Sequence, residues 1–203
     1  NISHLVGMMA DSTCETWCVL ANDAYGAREY GIGIHALFET VRFIEDGLLD
    51  DRQFHEVLCR VCPGRSQAWC HDVIAEFHRM IECPGVRSLL SRRPDLMSSG
   101  TSFAIEAQTE VSWLRRTPEG HIQEGVLDRI LLARRGDLAQ EALVIDWKTE
   151  RVQPGDEILH AEGYRPQLEA YRQAACQLTG LTPHQVGVVV VFVRDGILIP
   201  LES

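Results

Sequence analysis

The segment ALVIDWKTE, residues 142–150, combines a buried strand with charged groups. Its four leading apolar residues predict a strand in the core. Asp146 and Lys148 then follow two residues apart. Because side chains alternate between the faces of a strand, these two groups share one face and Trp147 lies on the other. An isolated charge is unfavourable in a core, so this placement indicates chemistry.

A second carboxylate, Asp128, is expected directly opposite Asp146. A hairpin centred on Asp137 places each residue n across from residue 274 − n, and therefore 128 across from 146. Two carboxylates about 5 Å apart repel by roughly 3 kcal/mol at an effective dielectric constant near 20. A divalent cation between them converts this repulsion into binding, and an all-oxygen site suits Mg²⁺ or Mn²⁺.

Lys148 is expected beside this cation, on the same face of the sheet. A protonated lysine does not ligate a metal, but it contacts a phosphate oxygen, orients an attacking water or lowers the pKa of that water. Two aspartates and a lysine on adjacent strands are suited to hydrolysing a phosphodiester with metal-activated water.

The elements that position these residues follow from the hydrophobic pattern. Residues 14–25 predict a helical turn followed by a loop, and a change to strand periodicity comes after residue 100. The order of elements predicts an α+β or mixed α/β domain with one central sheet, in which a helical region (residues 1–99) precedes a core (residues 100–203). Helices are predicted from residue 31 to before 47, over 51–60, over 66–83, from 84 to before 92 and over 164–179; strands are predicted over 103–115, 121–134, 141–149, 185–194 and 197–201.

Composition excludes several classes of function. With 45% apolar and 24% charged residues, the chain has a typical globular composition, and its apolar runs fall short of the ~20 residues of a membrane span. We therefore expect a cytoplasmic protein without a membrane partner. The net charge of −10 argues against a broad basic surface for nucleic acid.

The chain begins with Asn1 rather than Met, so we expect a fragment of a longer protein. It holds no GxxxxGK[ST] loop, so we do not expect it to hydrolyse ATP.

Seven cysteines and no visible secretory signal favour a reducing compartment. Cys59 and Cys62 form a CxxC pair, with Cys70, His71 and Cys83 beyond it. The spacing after the pair is irregular and no second CxxC follows, so we interpret these groups as thiols without a metal.

Four motifs resemble those of the PD-(D/E)xK nuclease superfamily, and in particular its RecB/AddA branch, whose nuclease domain ends a helicase–nuclease chain. The resemblance covers residue 31 to the C-terminus, with the motifs in the family's order. They are Gly33-Ile34-His35, Gly125-Val126-Leu127-Asp128-Arg129, Asp146-Trp147-Lys148-Thr149 followed by Glu150-Arg151-Val152, and Tyr164-Arg165-Pro166-Gln167-Leu168 with Tyr171.

The resemblance implies a role for each matching residue and a restriction-endonuclease-like core. Asp128, Asp146, the carbonyl of Trp147 and His35 would bind the metal, and Lys148 would be catalytic. Gln167 and Tyr171 lie four residues apart, on one helix face, and would orient Lys148, the water or a phosphate. Arg165 and Arg151 are candidate phosphate contacts.

The family also carries a glutamate on the strand before the first aspartate. Glu110 matches it better than Glu106, but a turn centred near residues 118–119 would pair Glu110 with Leu127, on the face away from Asp128. The iron–sulfur branch of the family uses three cysteines after the core elements. Only Cys176 lies beyond Cys83 here, so no cluster is expected.

The resulting hypothesis is a Mg²⁺- or Mn²⁺-dependent deoxyribonuclease domain of an AddA-like or RecB-like helicase–nuclease. Its expected partners are single-stranded DNA ends, the helicase domains of the parent chain and an AddB- or RecC-like subunit, in the bacterial nucleoid. Two alternatives stay open: a stand-alone phage or restriction-type exonuclease of the superfamily, and a non-catalytic module that binds DNA or a partner.

Overall fold

The computed structural model describes residues 24–92, 103–117 and 120–201, which contain six α-helices and five strands. Most of the turn expected over residues 14–25 lies outside these ranges. In the part of the chain that is described, no helix is long and apolar enough to cross a membrane. The elements are α1 (Ala24–Glu39), α2 (Asp51–Val61), α3 (Gln67–Glu82), α4 (Pro84–Leu89), β1 (Ala104–Arg116), β2 (Ile122–Arg135), β3 (Leu138–Lys148), α5 (Glu157–Gly163), α6 (Arg165–Thr179), β4 (Val186–Phe192) and β5 (Ile197–Pro200).

The five strands form one mixed sheet in the order β1-β2-β3-β4-β5. All neighbours are antiparallel except β3 and β4, which are parallel and connected through α5 and α6. Helices cover both faces of this sheet. The expected α/β fold with a central mixed sheet flanked by helices is therefore confirmed, and it is consistent with a restriction-endonuclease-like core.

Alternation along the strands divides the core into two layers. On one face, Ile145 and Trp147 pack against helices α1 to α4, and Trp147 stacks on Phe38 with ring centroids 4.7 Å apart. On the other face, Val144 and Val190 pack against α5 and α6. Asp146 and Lys148 belong to this second face, so the predicted separation of Trp147 from its two charged neighbours is correct.

Local signals fix the helix ends. Asp50 and Gln53 form a capping box at the start of α2, and the Ser66 hydroxyl accepts the N–H of Trp69 at the start of α3. Pro84 opens α4, and Gly180 ends α6 in the left-handed conformation with a φ of 73°. The sequence predictions differ in three respects: α1 begins earlier, at Ala24; it ends at Glu39 rather than just before residue 47, with a separate short turn at Ile44–Asp46; and α5 lies in a segment expected to be a loop.

The expected register between β2 and β3 holds next to the site, although the turn differs. Arg129 faces Ile145, and the pairing continues with the expected sum of 274 up to Ala133 and Glu141. The turn itself pairs Arg135 with Leu138, one residue out of phase, and a β-bulge between Ala133 and Arg134 restores the register.

The register expected for Glu110 is wrong. Leu127 pairs with Val111, and Thr109 pairs with Arg129, so Glu110 lies across from Asp128. The regular alternation of the two strands is interrupted at this point. Leu127 and Ile130 pack in the same layer although an odd number of residues, three, separates their positions. On the facing strand, Glu110 has a φ of 50°. This strained, locally irregular backbone turns Glu110 and Asp128 toward the same region, which a count of alternating residues does not anticipate.

Candidate active site

A cleft of about 700 Å³ opens where the ends of β2 and β3 meet α1 and α6. Predicted site residues from four separate elements converge on it. The residues that line the cleft include His35, Asp128, Asp146, Trp147, Lys148, Arg151, Gln167 and Tyr171, together with Arg28, Tyr30, Thr149, Glu150, Tyr164 and Arg194.

Asp146 and Lys148 form a close ion pair at the end of β3. The Lys148 Nζ lies 2.8 Å from Oδ2 of Asp146, whose side chain is only 2% exposed. This contact pairs the buried carboxylate with the ammonium. Burial raises the pKa of Asp146 to about 6, with the charge of Lys148 opposing the shift and that of Asp128 adding to it.

Asp128, on β2, is held against the backbone of the neighbouring strand β3. Its Oδ2 accepts the N–H of Trp147 at 2.8 Å, in the peptide group that joins Asp146 to Trp147. The remaining oxygen, Oδ1, lies 3.6 Å from Nδ1 of His35. Asp128 and Asp146 therefore line the same cleft, whereas the β2–β3 ladder ends at Arg129 and Ile145 and does not include the predicted pair of Asp128 opposite Asp146.

His35 and Glu110 complete a cluster of possible metal ligands around Asp128. The ligand atoms of these three residues all lie within 4.8 Å of one another, with Asp146 outside this trio and beside Lys148. Burial alone would lower the pKa of His35, but the hydrogen bond and charge of Asp128 outweigh it and raise that pKa. Burial and the charges of Asp128 and Glu39 raise the pKa of Glu110.

The donor set fits a hard divalent cation. Asp128 and Glu110 provide carboxylates, His35 provides one imidazole, and the buried carboxylate of Asp146 lies in the cleft with Asp128 and His35. Carboxylates with at most one imidazole suit Mg²⁺ and, still better, Mn²⁺. A cation here would neutralise the mutual repulsion of the acids, which the protein side chains alone do not.

A chain of contacts from α6 positions the lysine. The amide of Gln167 accepts from Lys148 Nζ at 3.3 Å and donates to the Tyr171 hydroxyl at 2.6 Å. Burial raises the pKa of Tyr171 to about 12, so the phenol stays protonated. Trp113 packs edge-on against Tyr171, and it approaches Gly125 so closely that a Cβ there would lie 2.8 Å from the indole ring. This contact explains the glycine of the GVLDR motif.

Tyr164 is a site residue to which the sequence interpretation gave no role. Lys148 Nζ lies 4.3 Å from the centre of its ring, a cation–π contact, and its hydroxyl donates to Glu150 at 2.9 Å. The available signal was a tyrosine at the first position of a predicted helix, within the motif that also holds Gln167.

The two arginines predicted to contact phosphate differ in placement. Arg151 lines the cleft, as do Arg28 and Arg194, which the sequence interpretation did not include. Arg165 is half-exposed, and its guanidinium forms a two-point ion pair with Glu162 at 2.5 and 2.7 Å. Arg151 therefore has the better position for an anionic ligand.

The composition of the chain also draws attention to Lys148. Lys148 is the only lysine among the chain's 19 lysine and arginine residues. The other lysine or arginine positions are all arginine, although the two residues exchange readily on protein surfaces. A unique ammonium in the cleft indicates that this position requires a compact charge with a mobile proton.

In the metal-free protein, Asp146→Asn is expected to increase stability. A raised native pKa means that folding favours the protonated acid; this contribution is present below about pH 4 and is lost as the pH rises through about 6. At pH 8, with EDTA, the variant should be more stable by about 2–3 kcal/mol in urea unfolding. The difference should nearly vanish at pH 4. Asp72→Asn, at an exposed position on α3, is the control; equal stability of Asp146→Asn and wild type at pH 8 would contradict the account.

Tyr164→Leu is expected to lower the cleavage rate about tenfold, because loss of the cation–π contact frees the Lys148 ammonium. Tyr164→Phe retains the ring and should stay within about twofold of wild type. Steady-state cleavage rates of the two variants check this. Equal losses in both would assign the effect to the hydroxyl and Glu150 instead.

Comparison with known proteins agrees with the geometry. A search of curated proteins gave no match. The family model of the PD-(D/E)XK nuclease superfamily matches residues 20–200, which span the sheet, the helices on both of its faces and all the residues of the cleft. Members of this superfamily are generally metal-dependent nucleases. The chain belongs to the PD-(D/E)XK nuclease superfamily.

Proposed function

We propose that the chain is a Mg²⁺- or Mn²⁺-dependent deoxyribonuclease domain that processes DNA ends. Family membership supports phosphodiester hydrolysis, and the intact set of Asp128, Asp146 and Lys148 supports catalytic competence over a purely binding role. The observation that carries the proposal is the convergence of Asp128, Asp146 and Lys148 in one cleft, where the Asp146 carboxylate is buried beside the ammonium. A site built only for stability would not keep two acids together with a buried charge.

The residues of the chain divide the work between holding a cation and stabilising charge. His35, Glu110, Asp128 and Asp146 would hold the ion, with the carbonyl of Trp147 as a predicted further ligand. A divalent ion there would supply polarisation of the phosphate and an activated water. Lys148, fixed by Asp146, Gln167 and the ring of Tyr164, is placed to stabilise negative charge that develops on the phosphate oxygens.

Recognition of DNA is proposed to be local. The net charge of −10 disfavours binding by the overall surface, whereas Arg28, Arg151 and Arg194 bring positive charge to the cleft. Arg194 is mostly buried, 3.6 Å from Glu76 and close to the ring of Tyr30, so it is held in place. A backbone phosphate next to the acidic cluster would meet these guanidinium groups.

The proposed context is an AddA-like or RecB-like helicase–nuclease of recombination repair. The residues of the motifs around Lys148 and Gln167, which resemble those of this branch, support the proposal. Motor domains of a parent chain, with an AddB- or RecC-like subunit, would supply the DNA grip that an acidic nuclease domain lacks and would deliver single strands to the cleft.

Digestion of end-labelled DNA tests the proposal. Linear single-stranded, linear duplex and circular DNA are incubated with the chain and Mg²⁺ or Mn²⁺, with EDTA and Ca²⁺ as negative conditions. We expect metal-dependent degradation of linear single strands and none by Asp128→Asn. Activity that survives in this variant would be contamination, and a well-folded wild type without activity on any substrate would leave the chain as a binding module.

A further inference from the structure

A second cluster of metal-binding side chains lies between α2 and α3, away from the active-site cleft. It consists of His55 and Cys59 on α2 and Cys70 on α3. The ligand atoms of the three residues all lie within 4.8 Å of one another. None of them lines the active-site cleft.

Helix geometry explains why these residues meet. His55 and Cys59 are four positions apart and therefore lie on the same face of α2. Cys70 lies in the first turn of α3, which Ser66 caps after a short connection from Cys62. The CxxC pair identified in the sequence does not act as a unit, because the Cys62 thiol donates to the carbonyl of Glu29. The relevant pattern is H-x3-C on one helix with a cysteine on the next.

The separation of His55 and Cys59 agrees with that in a tetrahedral zinc site. The Cys59 Sγ lies 3.5 Å from Nδ1 of His55. Ligand bonds of ~2.3 Å to sulfur and ~2.05 Å to nitrogen at a tetrahedral angle place the two ligand atoms about 3.6 Å apart. Two thiols and one imidazole form a soft donor set that selects Zn²⁺ over Mg²⁺ or Mn²⁺.

Burial and access also suit a bound ion. Cys70 is 1% exposed, whereas Cys59 is exposed and His55 is partly exposed. An ion would therefore enter from the His55 and Cys59 side, where a water molecule can supply the fourth ligand. The cluster lies beside a groove of about 520 Å³ that His55 lines together with His71, His78 and Asp51.

We propose that His55, Cys59 and Cys70 bind a Zn²⁺ ion that clamps α2 to α3. These helices form the layer that packs on Trp147 and Ile145, directly behind the catalytic strand. The bound ion would thus stabilise the support of the active site without taking part in the reaction. The site is independent of the proposed nuclease function.

Cobalt substitution tests the zinc site separately from the catalytic metal. The parent protein for this experiment carries Asp128→Asn and Asp146→Asn, which remove two of the four proposed active-site ligands, and it is kept reduced with a phosphine. Titration with Co²⁺ alone should give about one ion per chain, with a thiolate-to-cobalt charge-transfer band and tetrahedral ligand-field bands. Adding Cys59→Ser should abolish the charge-transfer band or greatly reduce it, and His55→Gln should weaken binding at least tenfold.

Both of these changes lie at solvent-accessible positions, so the variants should fold; circular dichroism checks this. Cys176→Ser, on α6, is the matched control and should leave the spectrum unchanged. One equivalent of Zn²⁺ well above its Kd should raise the Tm of the parent by about 5 °C or more and leave that of Cys59→Ser unchanged. Absence of a charge-transfer band, or a band that persists in Cys59→Ser, would overturn the proposal, as would a Cys59–Cys70 disulfide that resists the reductant.

Discussion

Replacing Lys148 by alanine is expected to lower the rate of DNA cleavage by about 10²- to 10⁴-fold while Mn²⁺ binding is retained. The ammonium contacts Asp146, Gln167 and the ring of Tyr164, and it is the only lysine available to the cleft because the chain has no other. The loss should appear in kcat, since the group acts on developing charge more than on ground-state binding. Single-turnover cleavage at saturating Mn²⁺ measures it.

Lys148→Arg is the informative companion variant. It retains the positive charge, but the planar guanidinium does not fit the contacts of a compact ammonium and does not release a proton. We expect a loss of at least about 10²-fold here as well. Wild-type rates in the alanine variant would contradict a catalytic role for Lys148, whereas full activity in the arginine variant would reduce that role to charge alone.

Arg129→Met is expected to destabilise the protein by about 2–4 kcal/mol, the largest effect on stability outside the apolar core. The Arg129 side chain is completely buried and donates to the carbonyls of Val41 and Arg42 at 2.7 and 2.5 Å. Burial lowers its pKa to about 10, which still leaves it charged. Removing the guanidinium leaves two carbonyls without donors, which outweighs relief from burying the charge. Urea unfolding followed by tryptophan fluorescence measures the change.

Arg134→Met is the matched control for this prediction. Arg134 lies on the same strand, but it is partly exposed and pairs with Glu106, so its loss should amount to less than about 1 kcal/mol. Arg129 follows Asp128 and donates hydrogen bonds to the segment directly after α1, the helix that carries His35. Its loss should therefore also weaken metal binding by His35 and Asp128. Equal unfolding midpoints for the two variants would show that Arg129 does not join the helical layer to the sheet.

The strand that carries Asp146 and Lys148 was predictable because local pattern and chemistry agreed. An apolar run followed by two charges on one face has few structural explanations, and the pairing of residues 129–133 with 141–145 matches the structure. That agreement was partly fortuitous. The real turn is one residue out of phase, and a bulge near Ala133 compensates; bulges depend on tertiary packing and leave no reliable signature in a single sequence.

Glu110 shows where counting residues fails. Its position across from Asp128 depends on a positive φ and on an interruption of the ladder, which only the packing of β1 against its surroundings can stabilise. The motif resemblance pointed to Glu110 while the regular register pointed away from it. Strain at a site residue is the common reason for such a conflict.

Contacts between side chains of different helices and strands could not be predicted from the sequence either. Tyr164 appeared as one apolar position of a helix, and nothing local indicates that its ring lies over Lys148. The H-x3-C pattern on α2 was equally visible, but Cys70 joins it only because α3 turns back along α2. The single lysine, by contrast, is visible in the sequence and marks Lys148 without any structure.

The most direct test of the metal site uses the unique lysine as a spectroscopic probe. A chain with ¹³C-labelled lysine and no added lysines should give one set of side-chain signals, all from Lys148. One equivalent of Mn²⁺ should broaden them beyond detection through paramagnetic relaxation, while Mg²⁺ shifts them without broadening and the Asp128→Asn/Asp146→Asn variant keeps them sharp. If the wild-type signals stay sharp while Mn²⁺ is bound, the cation does not lie beside Lys148, and the proposed catalytic centre is wrong.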